Sequence, residues 1–265
     1  MRVGHDMRDG LGAMQRIMLL GGTSEIGLAI VRELAKDGRL TDVFLAVRSV
    51  DSAAEAIAAL SHEHPGLNVV AVQFDAAKQE TYEPAFDTAF SGGSVDCVIS
   101  SFGLLGTGVD CEQDLDGVRQ LLDVNYTGAI LTGTIAVQRF RTQGYGSLVV
   151  LSSVAAERSR LDNYVYASTK AGVDAWASGM ADSLVGSGIQ VLVVRPGFVH
   201  TKMTEGLPVA PLATTPEVVA EQTVKALRKG SSLVWAPAGV RPLMSTLRHL
   251  PRPVFRVVTK RAAGS

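Results

Sequence analysis

Cysteine is scarce in this sequence, and long apolar runs and an excess of charge of either sign are missing. The two cysteines among 265 residues, Cys97 and Cys111, stand at no metal-ligand spacing. They read as reduced thiols, Cys97 buried in a strand, and no metal is expected. No apolar run approaches the ~18 residues of a spanning helix, and the amino terminus carries no signal-peptide apolar core. A formal net charge of −1 excludes no partner and suggests none, and nothing has the signature of a nucleic-acid binder. With 19% charged and 46% hydrophobic residues the chain is globular, and its length suits one α/β domain with a large core. One absence is local: after Glu221 there is no acidic residue at all.

Residues 1–15 are polar and aperiodic and read as a flexible extension. Arg16 to Leu20 is a short apolar strand that runs into Gly21-Gly22-Thr23-Ser24-Glu25-Ile26-Gly27, and Leu28 to Lys36 has a helical pattern. Strand, glycine turn and helix in that order make a nucleotide site: amides at the helix start meet a pyrophosphate, and Gly27 permits close packing. A plain βα turn is the alternative. A second strand, Asp42 to Val47, ends at Arg48. An acid at its end would hold the ribose 2′-hydroxyl of NAD, and an arginine can receive a 2′-phosphate. Val47 sits at the acid position, which leans to NADPH, with a surface arginine as the equal reading. Further strands are expected at Asn68 to Phe74 and Val95 to Ser101, with His62 and His64 as solvent residues in the loop leaving an alanine-rich helix, Ala53 to Leu60. One long helix, Leu115 to Phe140, carries Asn125, a residue unfavourable in mid-helix unless it has work to do.

Leu148 to Leu151 reads as a buried parallel strand, with Ser152 and Ser153 at its carboxyl end, where open α/β sheets bind ligands. Tyr166 and Lys170 follow, four apart at the start of a helical pattern running to Gly186. That spacing puts both on one helix face, where an ammonium favours the ionised phenol and makes it a proton donor and acceptor near neutrality. Such a pair alone is a weak signal. Gln190 to Val194 is a sixth strand before Arg195-Pro196-Gly197-Phe198-Val199-His200-Thr201, and Met203 to Thr214 is an apolar substrate lid. Pro216 opens a helix to Lys229, and Leu233 to Ala236 is the last strand. The division is then 1–15, a domain over 16–238, and a basic tail over 239–265. In that tail Leu243, Met244, Leu247 and Leu250 lie at helical spacing with Arg241 and Arg248 off the stripe, before Pro251 and Pro253 end the helix. The tail docks on anionic lipid, or it packs on the domain or on another subunit. On the lipid reading, removing residues 240–265 spares reduction of a water-soluble substrate.

The glycine turn, Asn125, Ser153 thirteen residues before Tyr166, and Lys170 together resemble the short-chain dehydrogenase/reductase superfamily, over about Arg16 to Ala236. That resemblance implies a Rossmann-type doubly wound parallel sheet in a single α/β domain. It also implies a catalytic tetrad. Tyr166 protonates the carbonyl oxygen, Ser153 orients that oxygen, Lys170 binds the nicotinamide ribose and lowers the Tyr166 pKa, and Asn125 kinks its helix and holds a relay water. The implied cofactor contacts are Gly21, Thr23, Ser24, Ile26 and Gly27, then Arg48, then Asp75 at the adenine, Ser101 and Gly103, Tyr166 and Lys170, and Pro196, Gly197, Val199 and Thr201 near the nicotinamide and phosphate. Glu25 and Phe102 depart from the superfamily, which has glycine and alanine there, as does Leu20 for threonine.

Four stretches narrow the likeness: GGTSEIGLAI, FSGGSVD, SFGLLG and LVWAPAGVR…LRHLPRPVFR. They look like the decaprenylphosphoryl-2-keto-ribose reductases of mycobacteria and related actinobacteria. This implies reduction of a 2-keto sugar, made by a partner flavoprotein oxidase, to decaprenylphosphoryl arabinose for cell-wall arabinan. That family's reaction is written with NADH, so NADH and NADPH both stay open. Two other readings are a soluble ketoreductase acting on another carbonyl, and a nonenzymatic dinucleotide sensor, against which the intact tetrad speaks. The expected place is the cytoplasm, peripherally on a membrane, with the cell envelope and an oligomer left open.

Overall fold

Strands rich in Val, Leu and Ile on both faces are stable only where helices cover both sides of a sheet. The computed structural model, which describes residues 14–106 and 114–263, shows that arrangement. Seven strands, β1 (Arg16–Leu20), β2 (Asp42–Val47), β3 (Asn68–Gln73), β4 (Cys97–Ser100), β5 (Gly146–Leu151), β6 (Ile189–Pro196) and β7 (Leu233–Ala236), form one parallel sheet in the order β3-β2-β1-β4-β5-β6-β7. The chain reverses its direction of travel between β1 and β4, and at such a switch point a crevice opens beyond the carboxyl ends of the strands. Register brings the key turns to that edge: Leu20 pairs with Ala46 and with Ser100, and Leu151 pairs with Val194.

Side chains alternate between two cores, as strand geometry requires. Ile17, Leu19, Leu45 and Ile99 pack under α1 (Glu25–Ala35), α2 (Ala54–Glu63) and α7 (Pro216–Arg228). Met18, Leu20, Phe44 and Leu148 pack under α3 (Tyr82–Phe90), α5 (Ala129–Gln143) and α6 (Tyr164–Ser183). The doubly wound single-domain α/β fold is as expected from the sequence.

Several boundaries differ, each for a local reason. α1 begins at Glu25 rather than Leu28, because Ser24 caps it by accepting from Gly27 N at 3.2 Å. His62 lies inside α2, not in its exit loop. The long helix is interrupted: α4 (Leu115–Leu122) passes through a π-helical turn, Asp123–Gly128, into α5. Met14, assigned to the extension, is buried in the core. Residues 1–13 of that extension and Cys111 lie outside the described residues. The tail is two helices, α8 (Val240–His249) and α9 (Arg252–Ala263). Pro251 follows the end of α8, but Pro253 lies in the first turn of α9, where proline is suited because no amide partner is needed. Among the described residues no helix is long and apolar enough to cross a membrane.

Candidate active site

The glycine turn is built by close approach. Gly21 has φ +87°, and a Cβ there would stand 2.8 Å from Phe102 N; a Cβ on Gly27 would stand 2.6 Å from Leu19 Cδ1 and 2.9 Å from Ser101 Oγ. Gly21 N and Gly22 N both donate to Ala46 O, at 3.1 and 2.9 Å. Ser24 and Ser101 share a hydroxyl–hydroxyl bond of 2.5 Å, joining the start of α1 to the end of β4. The result is a backbone cradle at a helix amino terminus, the form that takes a pyrophosphate. Ile26 packs half-buried on the core, and Thr23 is exposed. Glu25 leaves this geometry intact. Its Oε2 accepts from Lys202 N at 2.7 Å, so the carboxylate is turned to the segment after β6.

Arg48 is exposed at the end of β2, its carbonyl held by Gln73 Nε2 at 2.7 Å. Asp75 is half-buried beyond β3, where Oδ1 accepts from Ala77 N at 3.0 Å. On the far side, Val199 forms a bridge with Thr214 that closes the base of the lid. Thr201 forms a capping box with Thr204, its hydroxyl accepting from Thr204 N, which leaves the hydroxyl proton to donate. Val199 O is already taken by Thr204 Oγ1 at 2.6 Å. Gly197 lies against the first residue of α8: a Cβ on it would stand 3.1 Å from Val240 Cγ2.

Between these two sides lie the four residues of the tetrad. Ser153 follows β5, and Tyr166 and Lys170 sit in the first two turns of α6. The Tyr166 hydroxyl is hydrogen-bonded to Ser153. Lys170 is buried, donates from Nζ to Leu151 O at 2.8 Å, and lies 5.9 Å from the Tyr166 ring centroid. Asn125 sits in the π-turn at 1% exposure and clamps the loop after β4. Its Oδ1 accepts from Leu104 N and its Nδ2 donates to Leu104 O, both at 2.7 Å. A wider π-turn puts this amide inward, where a buried polar group finds both partners. Gly103 lies beside it, a Cβ there standing 3.3 Å from Asn125 Oδ1 and 3.7 Å from Lys170 Nζ. The structure thus brings together Asn125, Ser153, Tyr166, Lys170, Ser101 and Gly103, with Arg48 and Asp75 on the outer strands.

The electrostatics correct one expectation. Burial pushes the Tyr166 phenol above its ordinary value, and the Ser153 hydrogen bond offsets only part of that. Burial also lowers Lys170 from 10.5 to about 8. With the ammonium turned to a carbonyl, desolvation wins and the phenol is held in its proton-bearing form.

Sequence reasoning missed a charged network beneath the site. Ser152 Oγ donates to Asp174 Oδ2 at 2.7 Å, and Arg195 forks onto the same carboxylate at 2.9 and 2.6 Å. Arg195 also bonds Glu157 and stacks at 4.8 Å from the Trp235 centroid. One signal was available: Asp174 is four residues past Lys170, hence on the same helix face. A hollow of about 420 Å³ around Met14, Tyr145 and Gln190 opens at the opposite edge of the sheet and touches none of these residues.

Comparison with known proteins agrees with this geometry. Residues 15–210 match the family model described as short chain dehydrogenase. An uncharacterized oxidoreductase of Streptomyces coelicolor is 43% identical over 256 residues, covering 94% of this chain and 98% of that one. Another from Mycobacterium tuberculosis is 39% identical over 241 residues, covering 91% and 95%. A short chain dehydrogenase of Burkholderia cenocepacia solved with NADP shares the fold at 19% identity, with a TM-score of 0.76 and coverage of 91% and 96%. The crevice at the switch point, the tetrad and these matches agree: the chain belongs to the short-chain dehydrogenase family and is an NAD(P)-dependent oxidoreductase.

Proposed function

We propose that the protein reduces a ketone to a secondary alcohol, and that the ketone is the 2-keto sugar of a polyprenyl-phosphate pentose. The observation that carries the first part is the Ser153–Tyr166 hydroxyl pair beside buried Lys170 at the sheet edge. The cradle of Gly21, Ser24 and Gly27 fits a dinucleotide pyrophosphate, and Lys170 its nicotinamide ribose; the cofactor, when bound, supplies the hydride. Ser153 holds the carbonyl oxygen, and Tyr166 gives that oxygen its proton as negative charge develops there. A phenol with a raised pKa is protonated at neutral pH and so begins in the required state. Solvent then restores the Tyr166 proton. Asn125 fixes the Leu104 loop that walls this space.

The finer reading, a decaprenylphosphoryl-2-keto-ribose reductase working after a flavoprotein oxidase, draws support from the motif stretches and from the rim. Met203, Leu207, Val209 and Leu212 on the lid and Leu161 after β5 are exposed apolar side chains at the carboxyl edge. A prenyl chain too long for a pocket stays in a bilayer, which the acid-free basic tail suits, placing the enzyme at the cytoplasmic membrane face. NADH follows from that family's reaction and NADPH from Val47 and Arg48. A soluble ketoreductase is favoured by a different observation: Met244 of the tail stripe and Phe255 are buried against the protein.

The test follows nicotinamide absorbance with NADH or NADPH on two ketones, a farnesyl-phosphoryl 2-keto pentofuranose and ethyl acetoacetate. Tyr166→Phe is expected to lower turnover at least ~10²-fold with nucleotide binding retained. Near-normal turnover in that variant overturns the assignment. A higher kcat/KM on the lipid-linked ketone, with sedimentation on anionic liposomes at low salt, supports the finer reading; preference for ethyl acetoacetate and no sedimentation selects the soluble enzyme.

A further inference from the structure

The segment leaving Ser153 ends against the carboxyl-terminal helices. Ser153 Oγ accepts from Ala155 N at 3.1 Å, and the turn Val154–Ala156 delivers Glu157 and Arg158. Arg158 Nη1 donates to Leu247 O at 2.7 Å, Arg248 O at 3.0 Å and Leu250 O at 2.7 Å. These are carbonyls at the end of α8, of which Leu247 O also accepts from Leu250 N at 3.3 Å. The same guanidinium lies over the Phe255 ring of α9, 3.9 Å from its centroid, within cation–π range. Glu157, 9% exposed in its side chain, bonds Arg195 with one oxygen and Arg248 of α8 with the other, the latter at 3.0 Å.

A tail that served only to lie on a surface would need none of these contacts. One arginine caps α8 and holds α9, and the glutamate before it joins α8 to the buried Asp174–Arg195 pair. Both belong to the short segment whose first turn is capped by the Ser153 hydroxyl. Displacement of the tail removes the partners of that segment on its outer side, and one turn, Val154–Ala156, joins it to Ser153.

We propose that Glu157 and Arg158 are positioning residues that make the carboxyl-terminal helices part of the active site, holding the turn after Ser153 so that its hydroxyl stays on Tyr166. The proposal rests on the reading of Ser153 and Tyr166 as the working pair. Deleting residues 240–265 then abolishes reduction of water-soluble ketones as well, contrary to the lipid reading of the tail.

The experiment compares Arg158→Ala, Phe255→Ala and the double variant with the full-length wild type. Amide exchange over residues 153–163 should quicken ~10-fold in each, as expected when a locally stable unit loosens. Turnover of ethyl acetoacetate should fall ~10-fold, the scale of a small misplacement of catalytic groups, while the nucleotide Kd, read by fluorescence, changes less than ~2-fold. The double variant should be no worse than Arg158→Ala, because that change already removes the Phe255 contact along with the three carbonyl bonds. Faster exchange confined to residues 240–257 with turnover kept, or effects that sum, overturns the proposal. If Arg158→Ala fails to fold, Phe255→Ala decides by the same readouts. A wild type that reduces neither ketone sinks the functional reading, and the exchange measurement still decides this one.

Discussion

The glycine-turn side and the Tyr166–Lys170 side of the sheet edge are held by different forces. Around β1 the contacts are made by backbone and by missing side chains: Gly21 against Phe102, Gly27 against Leu19, Ser24 against Ser101. Around β5 and β6 they are made by charges taken out of water: Lys170, Asp174, Arg195 and Glu157. A cradle of amides suits a ligand common to a whole family, since any sequence with the glycines can form it. Charged side chains with several partners suit the side that must fix particular atoms and couple them to the tail. The cost also differs: a steric cradle fails through overpacking, and an ion network fails when one partner is left alone.

Four measurements would break or sharpen this contrast. Asp174→Leu should cost the most, about 3 kcal/mol in urea unfolding, the low end of roughly 3–5 for breaking a buried pair because Glu157 still faces Arg195. A loss under ~1 kcal/mol would show that the network contributes no more than a surface pair.

Lys170 comes next. Its folded pKa, about 8, lies below the ordinary 10.5, a difference worth roughly 3 kcal/mol. The unfolded chain holds this proton up to 10.5 and the folded chain releases it near 8, so stability rises with pH through that window and the penalty is complete below 8. Tyr166, raised above 10, keeps its proton longer in the folded state and opposes the trend above pH 10. Urea midpoints of the ligand-free protein should therefore rise between pH 8 and 10, and that part of the rise should vanish in Lys170→Met. An identical slope in the variant means that other groups carry the pH dependence.

On the nucleotide side, Gly21→Ala imposes a Cβ at φ +87° and 2.8 Å from Phe102 N. The expected strain of about 1–2 kcal/mol should appear as roughly 5- to 30-fold weaker nucleotide binding. Unchanged binding would mean that the turn yields, and the steric account of this half fails. Arg48→Ala should be mildest: Arg48 is exposed, so NADPH should weaken only ~3-fold more than NADH, within the range of surface charge contacts. Equal losses for both would assign Arg48 to solvent.

The sequence by itself determined the parts that local pattern controls. Apolar runs named all seven strands, the glycine turn between β1 and α1 named the cradle, and the four-residue spacing put Tyr166 and Lys170 on one helix face, because strand burial, turn geometry and helix periodicity are set within a few residues. The tertiary structure decided what depends on distant partners. Arg158 meets α8 about ninety positions along the chain, and Arg195 meets Asp174 across 21. The sign of the Tyr166 shift was settled in the same way: helical spacing put an ammonium on the phenol's helix face, but that ammonium turned to Leu151 O, and burial outweighed the Ser153 hydrogen bond. Charge partners and desolvation are properties of packed surroundings, and no local stretch of sequence contains them.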